Sequence, residues 1–276
     1  MIAAVVVTTA CNKETIEPCQ ITMTTGKLGG ALSIFVAGTG TISIDWGDGS
    51  ETQTHPLWDF ETQSEESHRF QHIYNEIREY SIIITGENII HFGCTMKGLT
   101  KLDISKNAKL ISLNCGINQL QTLNISTTPA LKLLICKDNQ IQTLDVSKNK
   151  ELVYLDCNTN QLSSFDISQN KALEFLYCQT NQLRRIDTGN NSNLQIINCS
   201  NNQLTELNVQ GCTSLSGFNC ENNLLPTRAL NTLFESLHEN MINAEKNILI
   251  SQNPGATDCN KSIAESKGWF VSIRAQ

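Results

Sequence analysis

Seven cysteines, Cys94, Cys115, Cys136, Cys157, Cys178, Cys199 and Cys220, recur every 21 residues in a chain of 276 residues that holds 11 cysteines. Thiols in a row can form disulfides, bind a soft metal or pack as small apolar groups. Parallel, in-register side chains suit packing better than the roughly 90° torsion of a disulfide, and zinc ligands must converge on a point rather than spread along a line. Buried, reduced thiols are expected, with no metal and no cofactor. A second row, Asp103, Asp145, Asp166 and Asp187, resembles paired catalytic carboxylates, but Asn124 and Asn208 fill the same register position. That row reads as turn chemistry, in which a short side chain bonds nearby backbone. Asp45 and Asp48 have calcium-loop character, yet Asp-Gly is first a turn signal; His68 and His72 lack the Glu of a metalloprotease and read as strand residues. There is no G-x-S-x-G, H-E-x-x-H or phosphate-binding loop, so an enzyme is not expected.

The elements that position these rows follow from the period. Leu110, Leu131, Leu152, Leu173, Leu194 and Leu215 fall five residues before a cysteine, and Asn118, Asn139, Asn160, Asn181, Asn202 and Asn223 fall three after one. The unit L-x-x-L-x-C-x-x-N-x-L-x-x-L-D/N-I-S-x-N resembles the leucine-rich repeat, with cysteine at one inward leucine position. Coils roughly 4.8 Å apart would stack seven deep over about 30 Å around one apolar column. The asparagines stand where each strand ends, where a buried amide can satisfy backbone groups that lack ladder partners.

Residues 20–88 switch to a period of two, with candidate strands Ile21 to Thr24, Ala31 to Ala37, Thr41 to Trp46, Arg69 to Ile73 and Tyr80 to Thr85. Beyond residue 225, Thr227 is placed to cap a helix carrying Leu230, Leu233, Phe234 and Leu237; strands at Ile248 to Ile250 and Trp269 to Ile273 flank a second helix from about Thr257 to Ser266. The expected fold is α+β by content. It comprises a signal-like segment and tether (1–19), a small β-sandwich (20–88), a solenoid of about seven coils with a parallel sheet on its concave face (89–225), and an α/β C-terminal cap (226–276).

Several stretches carry family resemblances. Ile44-Asp45-Trp46-Gly47-Asp48-Gly49-Ser50, followed by His72-Ile73-Tyr74, resembles the PKD-like immunoglobulin-like domains of extracellular proteins. Ile2 to Val7, then Thr8-Thr9-Ala10 before Cys11, resembles a bacterial lipobox with Cys11 as the lipidated residue. The repeat block is similar to the cysteine-ladder repeats of the internalin family of bacterial surface adhesins. The C-terminal cap, with Gln252-Asn253-Pro254-Gly255-Ala256 and Lys267-Gly268-Trp269, looks like that of surface leucine-rich-repeat lipoproteins. Together the resemblances imply a binding or adhesion protein at the cell surface or outer membrane.

A partner's place can be read from the register. Residues three and one before each cysteine point away from the core onto the concave face, which gathers Leu133, Ile135, Tyr154, Phe175, Tyr177 and Ile196 in adjacent coils. A protein or peptide ligand is expected there; a glycan is the alternative, since aromatic platforms serve both, and a purely structural spacer is the third reading. The net charge of −7 is the wrong sign for nucleic acid, and membrane contact is expected only through a lipid anchor. The acidity is uneven: residues 1–88 hold 4 Lys/Arg against 12 Asp/Glu, a balance of −8, so a boundary is expected near residue 88.

Overall fold

The computed structural model describes residues 18–59, 68–189, 191–239 and 246–273. Cys11 and the lipobox lie outside the described residues. Alternating apolar side chains make strands of the first part of the chain, burying Ile21, Met23, Leu32, Ile34, Ile42, Ile44, Ile82 and Ile84. These residues lie on β1 (Cys19–Thr25), β2 (Leu28–Asp45) and β5 (Ser81–Gly93), with β3 (Gln53–Leu57) and β4 (Arg69–Arg78) between them in sequence.

Two expected strands are one. β2 runs for 18 residues and changes partners, pairing antiparallel with β4 near its start and with β3 near its end while its second half pairs with β5. The change needs glycine: a Cβ on Gly38 would stand 1.9 Å from the Asn88 carbonyl oxygen, and Gly40 has φ 89°. β5 also serves two partners. It is antiparallel to β1 over Ser81 to Gly86, and its last three residues, His91 to Gly93, run parallel to β7 (Ser112–Asn114). The charge boundary near residue 88 therefore falls inside a continuous strand. A strand that the sequence pattern does not announce, β6 (Leu99–Asp103), pairs antiparallel with β1 and ties the back of the first coil to the N-terminal strands.

The solenoid then continues through β8 (Leu133–Ile135), β9 (Tyr154–Asp156), β10 (Phe175–Tyr177), β11 (Ile196–Asn198) and β12 (Gly217–Asn219), each parallel to the last and shifted by one repeat. It is a leucine-rich-repeat β-solenoid of about eight turns, and the fold is mostly β. β13 (Lys246–Leu249) and β14 (Trp269–Ser272) extend the same parallel sheet. Helix α1 (Thr227–Ser236) packs Leu230, Leu233 and Phe234 inward. Thr227 does not cap it: Pro226 holds the N-cap position without a side-chain bond. Helix α2 (Ser262–Glu265) is shorter than the pattern suggests, because the chain from Ser251 first completes another turn of the solenoid, with Asn253 bonding the Cys220 carbonyl at 2.9 Å. No helix among the described residues is long and apolar enough to cross a membrane.

Two asparagine ladders stitch the coils. In the expected one, Asn160 Nδ2 donates to the carbonyls of Cys136 and Cys157, both at 3.1 Å, and its Oδ1 accepts the Ile141 N–H at 3.0 Å. The second runs along the far side: Asn149, Asn170 and Asn191 each donate Nδ2 to two carbonyls of the preceding coil. Between strand and ladder asparagine lies one left-handed residue per coil, including Ile117 (φ 54°), Thr159 (φ 51°), Asn201 (φ 54°) and Asn222 (φ 50°). A β-branched residue is strained there, whereas asparagine tolerates the conformation. Ile117 is 40% exposed, so little burial is lost on its removal. Ile117→Asn should stabilise the protein by about 1 kcal/mol in denaturant titration; unchanged or lower stability would show that side-chain burial outweighs the strain.

Candidate functional site

The sheet register brings the six expected ligand-binding residues onto one face of the parallel sheet. Tyr154 lies between Leu133 and Phe175, Phe175 pairs with Ile196, and Asp156 lies between Ile135 and Tyr177. The Tyr154 ring is 6.1 Å from Phe175 and 5.5 Å from Tyr177, both tilted. All six are half-buried. Among them sits a residue that the pattern of apolar side chains passes over. Asp156 is 6% exposed, and burial pushes its carboxyl above the ordinary range although the Asn158 N–H and amide both donate to it.

The near end of this stripe is a cleft. A cavity of about 600 Å³ opens where β2 and β4 meet the first coils, and Leu133 and Ile135 form one wall of it. Phe35, Arg69, Phe92 and Lys97 also line it, with polar Ser33, Thr95, Ser112 and Asn114 among them. Register explains the continuity: Arg69 pairs with Phe35, Phe35 with Gly93, Gly93 with Asn114 and Asn114 with Ile135, so one row crosses from β4 into the repeats. Gly93 keeps the floor low, since a Cβ there would meet that of Phe35 at 3.2 Å. Lys97 carries a signal legible in the sequence. It stands three residues after Cys94, where the following coils place the ladder asparagine. With no earlier coil of that register to stitch, the position is released, and the Lys97 ammonium reaches Ser33 Oγ at 3.2 Å.

The remaining candidates are accounted for by structure. All seven cysteines of the row are buried free thiols, and burial pushes Cys94 and Cys199 up to about 12. Desolvation raises the other five well above the ordinary thiol value. Asp103, Asp145, Asp166 and Asp187 each accept the backbone N–H two residues on, at 2.8 to 3.0 Å. Asp45 does the same for Gly47 at 2.9 Å. Asp48 is held well below the usual carboxylate range by the Ser50 hydroxyl and by His72, 2.6 Å away, whose ring stacks on Trp46. His68 bonds instead to the Trp58 carbonyl, so the two histidines serve different partners.

No family model and no curated protein matches the chain in sequence. Solved structures do resemble it. Internalin C2 from Listeria monocytogenes aligns with a TM-score of 0.56 at 19% identity, covering 67% of this chain and 81% of its own. The functional domain of InlJ from Listeria monocytogenes, which includes a cysteine ladder, aligns at 26% identity and a TM-score of 0.47, over 70% of this chain and 50% of its own. The leucine-rich-repeat protein LIC12759 of Leptospira interrogans aligns at 19% identity and a TM-score of 0.46, over 62% of this chain and 56% of its own. The chain thus spans about half the length of the InlJ domain. The class defined by fold and neighbours is the leucine-rich-repeat solenoid.

Proposed function

We propose that the protein is a cell-surface binding or adhesion module that takes a protein or peptide ligand on the concave face of its repeats. The observation that carries this is the contiguous, half-exposed stripe of Leu133, Ile135, Tyr154, Phe175, Tyr177 and Ile196 on a curved sheet. Isolated exposed apolar residues are ordinary, but a contiguous group with clustered aromatics is the composition of an interface centre. On this reading the PKD-like segment at 20–88 and the cap at 226–276 flank and close the binding unit at 89–225. Lipidation of Cys11 would hold it at the cell surface or outer membrane.

The test separates binding from folding. Aromatic anchors at an interface centre each cost about 2 kcal/mol or more on truncation, whereas outward side chains leave no core cavity. With a ligand recovered by pull-down or from a glycan array, Phe175→Ala with Tyr177→Ala should weaken binding by at least about tenfold while thermal unfolding stays nearly unchanged. A large fall in stability would assign the rings to packing, and unchanged affinity would move the site elsewhere. A ligand found only among glycans would replace the protein reading with the glycan one.

A further inference from the structure

Arg69 and Lys97 are two cations on the wall of one cleft in a protein of net charge −7. None of the side chains lining the cleft is a carboxylate, and among the described residues neither cation makes an ion pair. The remaining walls are mixed: Phe35, Phe92, Leu133 and Ile135 are apolar, and Ser33, His91, Thr95, Ser112 and Asn114 are polar. Desolvation, and then the neighbouring Arg69 guanidinium, lower the proton affinity of Lys97. Two like charges on the wall of one cleft are relieved by an anion, and a carboxylate meets both a guanidinium and an ammonium with charge-assisted hydrogen bonds.

We propose that this cleft is the acidic-residue subsite of a peptide-binding groove: an extended segment of the ligand places an Asp or Glu side chain between Arg69 and Lys97 and runs along the concave face toward Tyr177. The inference rests on the concave-face reading and names the chemistry of its ligand. A peptide fits because the cleft is not a closed pocket. Leu133 and Ile135 belong both to its wall and to the aromatic stripe, and one row of paired residues links Phe35 to Tyr177 through Gly93, Asn114, Ile135 and Asp156. From the Gly93 strand to the Tyr177 strand is four strand spacings, about 19 Å, which an extended chain covers in about six residues. The ligand therefore carries its carboxylate about six positions from an apolar or aromatic residue.

The probe is a positional-scanning library of octapeptides, acetylated and amidated so that side chains supply the only carboxylates, applied to the full chain at about 100 mM salt, where ion pairing is only partly screened. Wild type should select Asp or Glu at one position and aromatic or large aliphatic residues about six positions away. Arg69→Gln with Lys97→Met, which keeps the lysine stem, should abolish the acidic preference, weaken the best peptide roughly tenfold and leave the aromatic preference intact. Phe175→Ala with Tyr177→Ala should do the reverse. Unaltered thermal unfolding of each variant excludes misfolding as the cause. An aromatic preference without an acidic one, or an acidic preference that survives loss of both cations, would overturn the subsite and leave the concave-face reading standing. An acidic preference that depends on the cations but not on the aromatics would support the subsite and overturn that reading. No enrichment at any position would overturn both.

Discussion

Raising the pH from 8 to 10 is expected to unfold the repeats. The seven ladder thiols are buried with their proton affinity raised, Cys94 and Cys199 to about 12 against an ordinary value of 9.0, so they stay protonated in the folded chain across this range. In the unfolded chain the same thiols ionise. The unfolded state then binds fewer protons than the folded one, and stability falls as pH rises. The contribution is fully present below about pH 9 and is lost on the way to the folded value, at about 1.4 kcal/mol per thiol per pH unit. Seven thiols acting together make about 10 kcal/mol by pH 10, comparable to the whole stability of an ordinary domain. The geometry that makes the row inert to chemistry, parallel sulfurs sealed in a column, makes it collectively sensitive to alkali.

Denaturant midpoints measured at pH 7, 8, 9 and 10 under reducing conditions test this. Cys136→Ala with Cys157→Ala should lower stability at pH 7 but flatten the alkaline slope by roughly a fifth, since Cys212, Cys259 and Tyr74 are also raised by burial and keep their share. A slope that is unchanged in the double variant would assign the alkaline loss to the general rise in negative charge. Alkylation agrees with the same account if the row stays unmodified at pH 8 until denaturant is added.

Repetition explains what was legible in the sequence. A period of 21 residues fixes the inward Leu and Cys positions and, combined with the period of two along a strand, also the outward ones; hence the sequence alone puts Tyr154, Phe175 and Tyr177 side by side. The Asx turns at Asp103 and Asp145 were legible for the same reason, since Asn substitutes at equivalent positions. What escaped depends on contacts distant in sequence. β6 forms a strand because β1 offers it an edge, and nothing in Leu99 to Asp103 differs from later coils that remain irregular there. The cleft needs the pairing of Phe35 with both Arg69 and Gly93, which no local pattern encodes. Thr227 has the composition of an N-cap, but Pro226 already fixes an extended backbone before the helix, and the cap shifts by one residue. The second asparagine ladder was visible as the last Asn of the repeat unit, but its role was not, because it joins consecutive coils rather than neighbours in sequence.

The two ladders predict different costs for what is the same residue type. Asn160 joins two coils through both ends of its amide, donating to the carbonyls of Cys136 and Cys157 and accepting from Ile141, in a site 9% exposed. Asn160→Ala leaves the buried Ile141 N–H without its partner, at about 1 to 3 kcal/mol, and removes one of two donors, worth about 1 kcal/mol each, from the carbonyls of Cys136 and Cys157, which keep the amides of Asn139 and Asn181. The expected loss is about 3 to 5 kcal/mol. Because each coil contacts only its neighbours, the damage falls on one interface, and unfolding should split into two transitions on either side of it. Asn149 uses only one end of its amide: Nδ2 donates to the carbonyls of Ile125 and Thr128, while Oδ1 has no partner among the described residues. One coil earlier the same register position is Thr128, whose hydroxyl donates to the Ile125 carbonyl at 2.9 Å. That bond stays within one coil, so Asn149→Thr gives up both bonds to the preceding coil, but their acceptors keep the Thr128 and Leu131 N–H donors; it should cost about 2 kcal/mol and keep a single transition. Urea unfolding followed by circular dichroism distinguishes the two variants. Equal losses, or a single transition for Asn160→Ala, would mean that the apolar column rather than the amide ladder joins the coils.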